Sequence, residues 1–290
     1  MYSGENFRFR FNPFKDFIYC SQFLQAEAMS YAYNHWRRAF RGHDREYCSG
    51  ILVWQLNDIW PATSWALVDV EWNRKASFYI TKRALGKVVV GMERVATRKM
   101  GSYMVTSYPE VKDKIEIWAV NGHLEKLEAV LELQAFDIES GKEVELPGDE
   151  RKRKVELLPN QTTELTSMAI PHAATTVIAA FLMDAKTNEQ LTRWVSWPEP
   201  LKFVHFSKTP DVQVSLSKDE KHVTISAKAP VKGVVVGVPI EEGGDDAVFD
   251  DNFVDLVPGE SVVLGVEGVK GRKLEARWLC DWENEEGFQL

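Results

Sequence analysis

The residues of this chain best equipped for chemistry lie between Gly50 and Asp69. Trp54, Trp60 and Trp65 stand there beside Asn57 and Asp58, with Trp72 just beyond. An indole ring covers the apolar C–H face of a sugar, and neighbouring amide and carboxylate groups take its hydroxyls. The chemistry indicated is saccharide recognition. Asp58 follows an apolar run, where it either contacts the ligand or caps the loop by accepting backbone N–H bonds. Hydrolysis of a glycosidic bond asks for more, namely two carboxyl groups facing each other across the bond, roughly 5–9 Å apart. Glu27, Asp58, Asp69 and Glu71 are the carboxylates in reach. Glu27 lies off the apolar face of its helix and reads as a surface or helix-packing residue. Asp69 and Glu71 follow the loop and are expected to order it.

Other chemistries find no constellation. The pairs Asn188-Glu189 and Asn284-Glu285 fall in a turn and in the tail, and neither follows a buried strand. The six histidines show no tight pairing and no Cys-x-x-Cys occurs, so no metal is expected. There is no glycine-rich phosphate loop, and Ser64 lacks the flanking glycines of a nucleophile elbow. We expect no cofactor and no complete catalytic set.

The elements that must position these residues change character along the chain. Asn12-Pro13 has the form of a helix start, Asn as cap and Pro at the first helical position. Phe17, Cys20, Leu24, Ala28 and Tyr31 recur at helical spacing and predict a helix to about Phe40, ended before Gly42. The run Ile51–Leu56 has no polar alternation until Gln55 and reads as a strand covered on both faces. Lys75 to Leu85 reads as a second helix closed by Gly86. From Val88 the pattern is β. Segments near Lys114–Val120, Glu128–Asp137, Glu143–Leu146, Lys152–Leu157, Thr162–Ala169 and Thr176–Ala185 are separated by turn residues and predict a β-sandwich. Trp197-Pro198-Glu199-Pro200 reads as an extended linker. Strands near Val212–Ser217, His222–Ala227, Gly233–Val238, Phe253–Val257, Ser261–Val266 and Lys273–Leu279 predict a second, smaller sandwich. The acidic tail from Asp281 to Leu290 is expected to be loosely held. The divisions are 1–87, 88–200 and 201–290.

Composition sets the outer limits. Hydrophobic content of 44% and charged content of 27% over 290 residues are those of a soluble globular protein. A net charge of -8 argues against nucleic acid as a partner. The basic cluster Arg37, Arg38, Arg41 and Arg45 is read as a solvated helix end complementing the dipole. No apolar run is long enough to cross a bilayer, so no membrane partner is expected. Cys20, Cys48 and Cys280 do not make a disulfide framework and suit buried or free thiols in a reducing compartment. With no secretory pattern at the N-terminus, an intracellular location is expected.

The run Val53-Trp54-Gln55-Leu56-Asn57-Asp58-Ile59-Trp60-Pro61-Ala62-Thr63-Ser64-Trp65-Ala66 resembles the last barrel strand of the β-mannosidases of glycoside hydrolase family 2. Lys75, Tyr79 and Lys82-Arg83 match that family's last barrel helix, and Tyr19-Cys20-Ser21-Gln22 with Gln25-Ala26-Glu27 its preceding one. Ser196-Trp197-Pro198-Glu199-Pro200-Leu201-Lys202-Phe203 resembles the linker between the C-terminal sandwiches of the fungal B type. The resemblance runs through essentially the whole chain. It implies a mixed fold: the C-terminal remnant of a TIM (β/α) barrel over 1–87, followed by two immunoglobulin-like β-sandwiches.

By the same resemblance, the activity is that of a retaining exo-β-mannosidase acting on a β-mannoside oligosaccharide. The family's nucleophile stands in a Ser-Glu-Phe-Gly motif, which is absent here, and its acid/base would lie earlier still. No catalytic residue can therefore be assigned, and the chain alone is expected to be inactive. What carries over is substrate binding: Trp54 matches a tryptophan that lines the sugar pocket, and Asn57, Asp58 and Trp60 match the same motif. The expected partner is the missing N-terminal part of the enzyme. The competing readings are a carbohydrate-binding or scaffold module and one half of a split glycosidase. A barrel closes with eight strands and about 250 residues, so the segment before Gly86 is expected to be poorly stable alone.

Overall fold

The computed structural model describes residues 2–96, 112–148, 151–243 and 246–284. The chain is mostly β-sheet. Its first sandwich packs a three-stranded sheet against a four-stranded one. The smaller sheet orders β1 (Val88–Val95), β2 (Lys114–Asn121) and β5 (Gln161–Ala169). The larger sheet orders β4 (Lys152–Leu157), β3 (Leu127–Asp137), β6 (Thr176–Asp184) and β7 (Gln190–Ser196), all antiparallel. Alternation turns Ala129, Leu131, Leu133 and Ala135 of β3 inward to meet Ile115 and Ile117 of β2. Strand β6 is apolar on both sides because both are covered. Ile178, Ala180 and Leu182 enter the sandwich core, while Val177, Ala179 and Phe181 face outward into a second core.

The second sandwich follows a single 3-10 turn, Leu201–Phe203. One sheet orders β12 (Val254–Leu256), β10 (Val231–Gly237) and β14 (Glu275–Arg277). The other orders β11 (Val248–Phe249), β13 (Ser261–Glu267), β9 (His222–Ser226) and β8 (Gln213–Leu216). Val223, Ile225, Val234, Val236, Leu256 and Leu264 fill the space between them. Strands β7 and β11 were not among the sequence expectations. Conversely, Glu143–Leu146 forms no strand. It makes one bridge, Glu143 to Phe136, before Pro147-Gly148 turns the chain away.

Helix α2 (Phe14–Arg38) lies between the two sandwiches, after the short helix α1 (Tyr2–Asn6). It starts one residue later than the Asn12-Pro13 signal suggested, with Pro13 as an extended cap and no side-chain capping bond. Its buried stripe also differs. Asp16, Tyr19, Cys20, Phe23, Ala26, Ser30, Tyr33 and Asn34 are buried, whereas Ala28 and Tyr31 are exposed and Phe17 and Leu24 are half-buried. The apolar spacing misplaced this face because polar groups share it. Asp16, wholly buried, is held between Arg10 and Arg277, with Arg277 Nη2 donating at 2.6 Å. A buried carboxylate is tolerated when paired in this way.

Cys20, Phe23 and Ala26 of α2 enter the second core with Val177 and Phe181 of the first sandwich, Trp197 of the linker, and Leu279 and Trp282 at the C-terminal end. One expectation is corrected here. The tail is anchored at its start: Asp281–Asn284 forms a 3-10 turn, Trp282 is wholly buried, and Glu283 pairs with Arg8 at 2.6 Å. The rest of the tail, 285–290, lies outside the described residues. Within the segment before Gly86, α2 packs against both sandwiches.

Arg37 and Arg38 of the basic cluster are not solvated, whereas Arg45 is exposed as expected. Arg37 donates to the carbonyls of Ala84 and Gly86, at the end of α3 (Ala76–Ala84). Arg38 pairs with Glu93, Glu116 and Glu164 of the smaller sheet at 2.8–2.9 Å and lies 4.3 Å above the Trp118 ring. These contacts fix the C-terminal end of α2 to the first sandwich. Arg37 and Arg38 act as an inter-element clamp.

Candidate functional site

The aromatic-rich segment joins α2 to α3. Ile51–Leu56 is not the strand its apolar run predicted. A strand needs neighbours for its N–H and C=O groups, and none of the described strands is offered to it. The segment folds back on itself instead. Leu67 N–H donates to the carbonyls of Gln55 and Leu56, Val68 N–H to Leu56, and Asp58 N–H to Val68, at 2.9–3.2 Å. Lys75 N–H closes the turn onto Leu67 at 2.9 Å. Ala66, Leu67 and Val68 are buried beneath it. Gln25 of α2 donates to the Trp65 carbonyl at 2.6 Å and accepts from Ser77 of α3 at 3.4 Å, tying the loop to both helices.

Asp58 is the inner pin of this loop. It is buried, and its carboxylate accepts the Ser64 hydroxyl, whose oxygen lies 2.6 and 2.8 Å from its two oxygens. Ser64 Oγ in turn accepts the Ala66 N–H at 3.0 Å. Lys75 Nζ lies 3.6 Å from the same carboxylate. The carboxylate is thus engaged by a hydroxyl and an ammonium rather than by the backbone N–H groups of a cap, and it faces inward. Asp69 orders the far end of the loop, accepting the N–H groups of Glu71 and Asn73 at 2.9 Å.

The pinned loop turns its indoles outward. Trp54 is 77% exposed and Trp60 70%, with Trp65 and Trp72 similarly open and Leu52, Leu56 and Ile59 beside them in the sequence. Asn57 is half-buried and donates to the Asp58 carbonyl at 3.1 Å. Trp54 and Trp60 are therefore available to a ligand face, Asn57 partly so, and Asp58 is committed to the loop. Glu27 is not part of this group. It pairs with Lys232 of β10 at 3.1 Å, in the junction between helix and sandwich.

Sequence reasoning missed Gln25 and Lys75 as supports of the loop, and Lys232 altogether. Lys232 did carry a signal: it interrupts a valine-rich run in β10, and a charge at such a position needs a buried partner. Asn188 and Glu189 sit in the tight turn between β6 and β7, where Asn188 N–H donates to the Asp184 carbonyl at 3.0 Å and Asp184 N–H to the Glu189 carbonyl at 2.8 Å. Among the described residues, no group of His, Cys, Asp and Glu is placed to hold a metal ion.

Comparison with known proteins extends this picture. Residues 113–202 match the family model of the mannosidase Ig/CBM-like domain, and residues 207–277 match that of an Ig-fold domain. β-Mannosidase B of Thermothelomyces thermophilus is 40% identical over 288 residues, covering 96% of this chain and 33% of that protein. β-Mannosidase B of Aspergillus terreus is 33% identical over 264 residues, covering 88% of this chain and 29% of that protein. The chain thus spans about a third of the length of these curated relatives. A solved β-D-mannosidase from Dictyoglomus thermophilum shares the fold over 96% of this chain and 31% of its own, with a TM-score of 0.72 at 21% identity. An exo-chitosanase from Amycolatopsis orientalis does so over 91% of this chain and 34% of its own, with a TM-score of 0.62 at 15% identity.

Proposed function

We propose, for a chain homologous to β-mannosidase B over about a third of that enzyme's length, that it serves as the C-terminal part of a retaining exo-β-mannosidase of glycoside hydrolase family 2. The complete enzyme removes terminal non-reducing β-D-mannose from oligosaccharides. In this reading residues 1–87 are the end of a TIM barrel, and Trp54 and Trp60 form one wall of its sugar pocket. The observation that carries it is the loop itself: a segment pinned from within by Asp58, Ser64 and Lys75 that holds indoles outward. Asp58 acts as the pin and leaves hydroxyl recognition to Asn57. The carboxylates that cleave the bond come from outside this chain.

The exposed apolar side chains of Leu52, Leu56 and Ile59 support the same reading. Such a patch on a folded chain marks a surface made to be covered, and the remaining two thirds of the enzyme is the natural cover. An intracellular location suits the three unpaired cysteines. The test is complementation. Mixing the chain with a polypeptide holding the first two thirds of a β-mannosidase B is expected to generate β-mannosidase activity that neither part has alone. Trp54→Ala should lower kcat/KM by about 10- to 100-fold, the loss expected when a stacking wall is removed. Activity that forms on mixing but ignores Trp54→Ala would refute the pocket-wall role.

A further inference from the structure

Residues 249–253, which lead from β11 into β12, are held to both sheets of the second sandwich. Asn252 is 4% exposed, and its side chain exchanges two hydrogen bonds with the Val236 backbone of β10, at 2.8 and 2.9 Å. Asp250 does the same with Gly265 of β13. Its N–H donates to the Gly265 carbonyl at 2.9 Å, and its carboxylate accepts the Gly265 N–H at 2.7 Å. The position of this segment is therefore the position of the sandwich. Its own carbonyls are taken by cations from outside the sandwich.

Arg83 of α3 donates to the Asn252 and Phe253 carbonyls, both at 2.8 Å, and pairs with the Asp251 carboxylate. Lys82 beside it donates to the Asp250 carbonyl at 2.6 Å. Arg74, at the end of the aromatic loop, donates to the Phe249 carbonyl at 2.8 Å, its guanidinium 5.0 Å from the Phe78 ring. Bonds from a charged donor are the stronger kind. From Arg74 the path leads on to the indoles. Its backbone bridges to Val68, and Val68 bridges to Asn57. The next residue, Lys75, holds Asp58. Asn57 and Asp58 stand between Trp54 and Trp60 in the sequence, so bonds run without a break from the second sandwich to the aromatic loop.

We propose that the second sandwich sets where the aromatic loop stands, and that Arg74 and Arg83 are the positioning residues that transmit its position. Gln25 ties the loop to α2 on one side, and Arg74 ties it to the sandwich on the other. A recognition wall must be held to a fraction of an ångström by such supports. The consequence for sugar binding rests on the reading of Trp54 and Trp60 as a pocket wall, whereas the coupling itself does not. A wall that meets the sugar in ground and transition states alike acts on KM rather than kcat when it is displaced. A path of contacts becomes a coupling only when a change at one end is felt at the other, and that is what the experiment reads.

The test is hydrogen exchange, read by mass spectrometry, on the chain and on Arg74→Met and Arg83→Met. Residues 55–68 include the bonded N–H groups of Asp58, Leu67 and Val68. Their amides should exchange about fivefold or more faster in both variants. Those of β3 and β6 should keep their rates, which checks that the chain stays folded. Arg74 is exposed, so Arg74→Met leaves the cores intact even where Arg83→Met does not fold. Arg74→Lys should restore the parent rate, because a single N–H···O bond joins Arg74 to Phe249. Unchanged exchange over 55–68 in Arg74→Met would overturn the coupling. In the active mixture with the first two thirds of a β-mannosidase B, Arg74→Met should raise KM about fivefold with kcat within about twofold. It should add little to the loss in Trp54→Ala, since both act on one wall. Losses that multiply would overturn the positioning role. A mixture inactive even with the parent chain would refute the pocket-wall reading instead, and the exchange rates would still decide the coupling.

Discussion

Asp58 shows how far a single residue can be read before its neighbours are placed. Its position after an apolar run left ligand contact and capping equally open. Burial and the bonds from Ser64 and Lys75 favour a structural role, through partners other than the backbone groups expected of a cap. Nothing in the local sequence marks Lys75 as the counter-charge, because the turn that brings it back is set by backbone bonds from Val68 and Lys75. The indoles were easier, since a tryptophan beside Asn57-Asp58 is conspicuous wherever the loop goes. The cysteines give a test at this scale. Burial pushes the Cys20 thiol up to about 12 and the Cys280 thiol well above its ordinary value, while Cys48 is half-buried in the loop region. The thiolate is the reacting form. At pH 8 the folded chain should therefore react promptly with a disulfide reagent at Cys48 alone, and at all three positions in denaturant. Prompt reaction of Cys20 or Cys280 in the folded chain would contradict the packing of α2.

Elements were legible where one pattern decides them. The strands of both sandwiches follow from alternation and turn residues, because each strand buries one face against a sheet it can be paired with. Helix α2 was legible as a helix but not in its orientation. Three of its buried positions, Asp16, Ser30 and Asn34, are polar, and only the facing surfaces explain them. The strand expected at Ile51–Leu56 failed for the converse reason: its pattern is apolar, but none of the described strands pairs with it. Gly233 links helix to sandwich. It has a φ of +67° at the bulge in β10, and a Cβ there would stand 2.6 Å from the Tyr19 hydroxyl and 2.7 Å from the Phe23 ring. Tyr19 donates to its carbonyl at 2.7 Å. Gly233→Ala should therefore cost about 1–3 kcal/mol, from left-handed strain and overpacking together, read as a lower urea midpoint. A midpoint unchanged from the parent would show that α2 does not rest on this bulge.

At the scale of the whole molecule, two β-sandwiches and one long helix share an inner core, and the aromatic loop projects from it. The helix is fixed at both ends, by Asp16 to Arg277 on one side and by Arg38 to the glutamates of the first sandwich on the other. The loop is thereby presented on a rigid base, which is what a pocket wall requires. What it lacks is a pair of facing carboxylates. Asp58 is engaged within the loop, Glu27 is paired with Lys232 in the junction, and Asp69 orders the loop end. A retaining glycosidase needs both an acid/base and a nucleophile, and loss of either removes most of the acceleration. The most direct measurement is turnover of an aryl β-D-mannoside by the purified 290-residue chain. The account predicts release of the aryl alcohol no faster than in buffer at any chain concentration. Saturable turnover that rises in proportion to the chain, and survives repurification, would contradict it.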